Sequence, residues 1–162
     1  MHESSRTGPI WTSQSAAVIH RHQIRVYIED TDSGGIVYYA NYLRFAERAR
    51  TEMLRSAGIS HARMMAEDGL VLAVRRCEVD YLRPAKLDDE LLIETKVTGL
   101  GGATIDLAQR VCRIDDGDEV ELVRLAVKIA CIGAAGRATR LPEDLRKLLR
   151  QALPPGWEVR IG

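Results

Sequence analysis

Between residues 70 and 132 the chain offers four strand-length segments in immediate succession, 70–82, 90–98, 103–114 and 119–132, with only short breakers at 84–89, 99–102 and 115–118 between them. No gap there could hold the crossover helix that joins parallel neighbours, so the strands must pair largely antiparallel and a doubly wound parallel fold is excluded. The 115–118 segment, Asp-Asp-Gly-Asp, is a strong hairpin signal. In the last segment Val123, Leu125, Val127, Ile129 and Cys131 fall on one face and Arg124 and Lys128 on the other, the alternation of a sheet covered on one side. The cover has to come from the flanking sequence. Residues 40–57 place Leu43, Ala46, Ala49 or Arg50, Met53 and Ala57 at three- and four-residue steps, which predicts a long amphipathic helix stopped by Gly58. Its alanine-rich stripe allows close approach to a sheet. A shorter helical piece over 60–68, ended by Gly69, and a closing helix over 142–153 with Pro142 at its first turn complete the helical content. Ahead of them residues 22–28 set Ile24, Val26 and Ile28 in alternation, predicting a first strand. The fold class is therefore α+β, an antiparallel sheet of about five strands with one long helix. One such helix does not cover both faces of the sheet, and self-association is one way to use the other.

At 162 residues the chain suits a single domain that buries roughly two-thirds of its unfolded surface without disulfides or a structural metal. Residues 1–19 read as a flexible N-terminal extension in which Trp11 is available for docking, 20–153 as the domain and 154–162 as a tail. Lys and Arg (23) balance Asp and Glu (23), which argues against a nucleic-acid binder. Cys77, Cys112 and Cys131 lie far apart, have no metal-ligand spacing, and are expected to be buried, reduced thiols. No apolar run approaches the roughly 20 residues of a membrane span, and no signal-peptide core opens the chain, so the expected location is cytoplasmic.

Chemistry concentrates in residues 29–35, Glu-Asp-Thr-Asp-Ser-Gly-Gly, where acidic groups, permissive backbone and the start of the long helix coincide. As a calcium loop counted from Asp30, it would carry Gly34 at the fifth position and Asn41 at the twelfth, neither of them the expected ligand. An Asp-x-Asp phosphoryl-transfer site needs a parallel sheet that this chain does not provide. Taken alone, Asp30 and Asp32 could simply form Asx turns or cap the helix.

The longer string, residues 25–55 (RVYIEDTDSGGIVYYANYLRFAERARTEMLR), resembles the signature of hotdog-fold acyl-CoA thioesterases of the 4-hydroxybenzoyl-CoA thioesterase type, most closely the Tol-Pal-associated YbgC group. Residues 80–89 (DYLRPAKLDD) resemble a second motif of that group, and the resemblance covers roughly 20–132. It implies a sheet wrapped around one long central helix and hydrolysis of acyl-CoA to free acid and coenzyme A. No metal or organic cofactor is implied, and the active sites lie between subunits of a homodimer or homotetramer. The family's catalytic carboxylate falls on Asp32, as general base or as nucleophile. Backbone N–H groups at the helix N-terminus, foremost that of Tyr39, would polarise the thioester carbonyl. Gly35, Val37 and Asn41 are candidate substrate-binding positions. Many members carry His where this chain has Tyr39, which puts a side-chain acid or base role there in doubt and leaves the backbone role intact. The resemblance extends to association with envelope or phospholipid-synthesis proteins.

Glu47 is a second-choice carboxylate, since another hotdog branch uses a helix glutamate; a salt-bridging role beside the neighbouring arginines is the competing reading. Asn41 and Tyr42 fit loop orientation, pocket lining, helix capping or core packing. His20, His22 and His61 lack ligand or triad spacing, and Arg75, Arg76, Arg83 and Lys86 fit either coenzyme A phosphates or a solvated strand face. A hotdog dehydratase would pair a histidine with a carboxylate, and the 29–35 loop has no histidine. A non-catalytic hotdog acyl-CoA-binding or scaffold protein is the alternative from outside enzymology.

Overall fold

The computed structural model describes residues 18–153. The expected extension, apart from Val18 and Ile19, and the expected tail with 154–162 lie outside the described residues. The elements run β1 (Ile19–Arg25), a 3-10 turn (Ile28–Asp30), α1 (Asn41–Ser56), the single turn α2 (His61–Arg63) continuing into one wide turn (Met64–Asp68), β2 (Val71–Tyr81), β3 (Glu90–Leu100), β4 (Thr104–Asp115), β5 (Asp118–Ile132) and α3 (Glu143–Gln151). The strands form one antiparallel sheet in the order β1-β3-β4-β5-β2. The β4–β5 hairpin turns on Asp116 (φ 46°) and Gly117 (φ 87°) between the paired Asp115 and Asp118, the two left-handed residues that a two-residue hairpin turn requires.

Val123, Leu125, Val127, Ile129 and Cys131 are all buried on the face that the alternation assigned to the core, with Ile93 and Val97 of β3 and Leu107 and Val111 of β4. Phe45, Ala46, Ala49 and Leu54 of α1 pack on them, and Ala46 and Ala49 have no remaining exposure, so the small side chains sit where helix and sheet approach. Between the layers lies a polar chain: Gln109 of β4 donates from Nε2 to the Ala46 carbonyl (3.0 Å) and to Thr95 Oγ1 (2.9 Å), and accepts from Arg50 Nη1 (2.8 Å). Arg50 is ion-paired at its other nitrogen with Glu47. The buried amide is thus fully used, as burial demands.

Several expectations need correction. The first strand lies at 19–25, not 22–28, because the Tyr27 N–H donates to the Asp30 carboxylate (2.8 Å) and the Asp30 N–H to the Tyr27 carbonyl (3.0 Å), curling the chain off the sheet and leaving Ile28 77% exposed. The buried stripe of α1 is Tyr42, Phe45, Ala46, Ala49, Arg50 and Leu54, with Leu43 exposed: the aromatic pair turns the helix toward the core, where the paired Arg50 is tolerated. The helical cover is not one helix alone, since Leu145 and Leu149 of α3 enter the same core. Cys77 is exposed, whereas Cys112 and Cys131 are buried. It sits on β2, an edge strand of which only Leu72 and Val79 are half-buried. Among the described residues no helix is long and apolar enough to cross a membrane.

Candidate active site

The loop between the 3-10 turn and α1 is stitched into a compact shape by its own backbone. The Asp32 N–H donates to the Ile36 carbonyl (2.9 Å) and the Gly35 N–H returns to the Asp32 carbonyl (3.1 Å), a tight turn in which Gly35 adopts φ 81°. That left-handed geometry, rather than crowding, selects glycine, because no atom lies within 4 Å of where a Cβ would stand. The Gly34 N–H donates to Asp32 Oδ1 (2.8 Å), which orients the carboxylate. Asp32 is exposed, and its Oδ2 has no hydrogen-bond partner among the described residues.

The far side of the loop is fastened to the segment after β2. Val37 donates its N–H to the Ala85 carbonyl (2.9 Å), Ile36 bridges Lys86, and the Ala85 N–H donates to Tyr42 Oη (3.0 Å). Burial raises the Tyr42 phenol above its ordinary value. Tyr38 then donates its N–H to the Asp30 carbonyl (3.0 Å), and the Asn41 side chain donates to that same oxygen (2.8 Å). Among the described residues the Tyr39 N–H has no acceptor. The rings of Tyr38 and Tyr39 lie 4.8 Å apart, and Tyr81 of β2 meets Tyr39 edge-on at 6.2 Å.

The structure therefore brings Asp32, Gly35, Tyr39 and Asn41 into one loop at the N-terminus of α1. Val37 is buried (3% exposed) with its N–H consumed, so it braces the loop and leaves neither group open to a ligand. The Asn41 amide is engaged with Asp30. Glu47, 52% exposed, lies two turns along α1 in an ion pair with Arg50, the salt-bridging arrangement. Of the basic candidates, Lys86 adjoins the loop through its bridge to Ile36, Arg83 donates to the Glu121 carbonyl (2.8 Å), and Arg76 pairs with Glu78. Burial holds the His20 imidazole, remote in β1, below its ordinary value. On the opposite sheet face, ligand atoms of Glu94, Cys112 and Glu119 lie within 4.8 Å of one another, but Arg110 pairs with both carboxylates (2.7 and 3.2 Å), and this cluster is accounted for as an ion-pair network. Sequence reasoning passed over Tyr81, although it stands in the 80–89 motif that carried part of the resemblance.

An antiparallel five-stranded sheet with its helices on one face and an acidic loop leading into the long helix defines a hotdog-type thioesterase fold. The chain belongs to the thioesterase-like superfamily, whose sequence pattern matches residues 26–149. It is 45% identical over 109 residues to the acyl-CoA thioesterase YbgC of Haemophilus influenzae, covering 67% of this chain and 77% of the relative. To the acyl-CoA thioesterase YbgC of Helicobacter pylori it is 32% identical over 131 residues, covering 80% and 96%. The crystal structure of 4-hydroxybenzoyl-CoA thioesterase from Pseudomonas sp. strain CBS-3 superposes with a TM-score of 0.75 at 26% identity, covering 80% of this chain and 98% of that one.

Proposed function

We propose that the protein is an acyl-CoA thioesterase that hydrolyses the thioester bond to free acid and coenzyme A, with Asp32 as its carboxylate. The observation that carries this reading is a single loop, in a chain of the thioesterase-like superfamily, that presents a carboxylate with one oxygen unengaged and a Tyr39 N–H without an acceptor among the described residues. Attack on a thioester carbonyl needs both: a base or nucleophile, and a donor where negative charge develops. The Tyr39 N–H, beside the positive end of α1, stabilises the tetrahedral oxyanion. Asp32 either takes a proton from the attacking water or attacks the carbonyl itself to give an anhydride that water opens. The thiolate leaves and is protonated to coenzyme A. No metal or organic cofactor enters this scheme. Lys86, bridged to Ile36 of the loop, is the basic residue this reading offers to the phosphates of coenzyme A.

In this reading α1 is the helix the sheet wraps, and the working form is a homodimer or homotetramer. Support for self-association comes from β2, an edge strand whose side chains stand largely exposed, Tyr81 at 47%, close to the loop. Association with envelope or phospholipid-synthesis proteins and a cytoplasmic location belong to this proposal through the resemblance carried by residues 25–55 and 80–89. The test is release of free thiol from short-, medium-, long-chain and aromatic acyl-CoAs. Turnover of at least one is expected. Acyl-CoA bound and left intact would move the protein to the sensor or scaffold reading.

A further inference from the structure

The loop's hydrogen bonds point to a function for two residues that stand beside the reacting groups. The peptide unit joining Tyr38 and Tyr39 carries the N–H assigned above to the oxyanion, and it is gripped from both sides. Its own carbonyl, that of Tyr38, accepts from the Asn41 N–H at 2.8 Å. The Tyr38 N–H and the Asn41 side-chain amide converge on one oxygen, the Asp30 carbonyl, at 3.0 and 2.8 Å. On the other flank the Tyr39 carbonyl accepts from Tyr81 Oη at 3.2 Å. A peptide plane held only at its Cα atoms can rotate and swing its N–H away; these bonds oppose that rotation. A carbonyl that accepts a hydrogen bond also makes the N–H of the same peptide a better donor. Asp30 stands two residues before Asp32, so its carbonyl is the point through which Asn41 ties the carboxylate turn to the donor peptide.

We propose that Asn41 and Tyr81 are positioning residues, which hold the Tyr39 N–H aimed at the reacting carbonyl and in fixed relation to Asp32, without touching substrate themselves. The inference rests on the thioesterase reading. Tyr81 suits the task because its ring is already placed, 5.8 Å from Tyr42 and 6.2 Å from Tyr39, while Tyr42 is anchored to Ala85. Its hydroxyl has one bond to lose and its ring stays put when that bond is removed, so Tyr81→Phe separates the clamp from the packing.

The experiment compares Tyr81→Phe, Asn41→Ala and Asn41→Asp with the wild type, using the acyl-CoA that the wild type turns over fastest. A mispositioned oxyanion donor costs the transition state more than the ground state, so kcat is expected to fall about tenfold for Asn41→Ala and somewhat less for Tyr81→Phe, with KM changed less than about twofold. The second readout is the stretching frequency of the thioester carbonyl bound to Asp32→Asn, shifted down by the Tyr39 N–H. Adding Tyr81→Phe or Asn41→Ala should abolish much of that shift. A KM increase at unchanged kcat would overturn the proposal by making these residues substrate contacts, and unchanged kcat with unchanged carbonyl frequency would overturn it outright. Should Asn41→Ala fail to fold, Tyr81→Phe decides alone. A wild type that turns over no acyl-CoA would instead defeat the thioesterase reading, and this inference with it.

Discussion

Gln109 is the most exacting test of how the long helix is fastened to the sheet, because three hydrogen bonds meet on one amide with no exposure. Gln109→Leu keeps the side chain's approximate volume and removes all three. The bond from Arg50 is charge-assisted and its loss leaves a nearly buried guanidinium short of a partner, about 2–3 kcal/mol. The two bonds donated by Nε2 add about 1 kcal/mol each. Greater apolar burial by leucine offsets roughly 1 kcal/mol of this. The net expectation is a loss of about 3–4 kcal/mol, a large share of the roughly 5–15 kcal/mol typical of a folded domain. Urea denaturation should show a lower midpoint at unchanged slope, and the thermal midpoint should drop by about 10 °C. The double variant Arg50→Met with Gln109→Leu removes the stranded charge and should recover about 2 kcal/mol, at the expense only of half-exposed Glu47's partner. A single-variant loss below about 1 kcal/mol, or a double-variant loss equal to the sum of the singles, would refute the network as described.

Gly35→Ala should cost about 1–2 kcal/mol from φ alone, there being open space for the methyl group, and should lower kcat more than it lowers thermal stability if the 32–36 turn orients the carboxylate. Alkylation of the folded protein at pH 8 should label exposed Cys77 and spare Cys112, whose thiol burial pushes up to about 11; mass spectrometry showing Cys112 modified before unfolding would contradict its placement. Burial holds the His20 imidazole below its ordinary 6.5, so the unfolded chain binds the proton first as pH falls. Its contribution is therefore fully present above pH 6.5 and lost as pH falls through that value toward the depressed folded one, and His20→Gln should flatten this part of the stability profile measured by urea unfolding.

The strand succession after residue 69 was legible because period-two alternation and turn residues are local signals, and the Asp116–Gly117 hairpin fell where the Asp-Asp-Gly-Asp segment put it. The first strand was misplaced by three residues because its end is decided by the Asp30 side chain reaching back to Tyr27, a bond that hydrophobic alternation does not encode. In α1 the stripe held at Ala46, Ala49 and Arg50, whose burial is completed by Gln109, 59 residues away, but it failed at Leu43, which is exposed because Tyr42 and Phe45 take the inward positions. The proposal of Asp32 and Tyr39 rests on the length of the motif around them, since a lone Asp-x-Asp has a commonplace structural explanation. For Asn41 the sequence left loop orientation, pocket lining and capping open, and its side-chain bond to the Asp30 carbonyl is the loop-orienting arrangement; the partner was not legible because pairings across a folded loop leave no spacing signal.

The central claim is that Asp32, and not Glu47, is the carboxylate of thioester hydrolysis. Steady-state release of free coenzyme A by Asp32→Asn and Glu47→Gln, each against the wild type on the same acyl-CoA, tests it most directly. Loss of a positioned base or nucleophile should cut kcat by about 10²–10⁴ in Asp32→Asn, with Glu47→Gln retaining most of the wild-type rate. Full turnover by Asp32→Asn, or abolition by Glu47→Gln in a protein of unchanged thermal stability, would contradict the account.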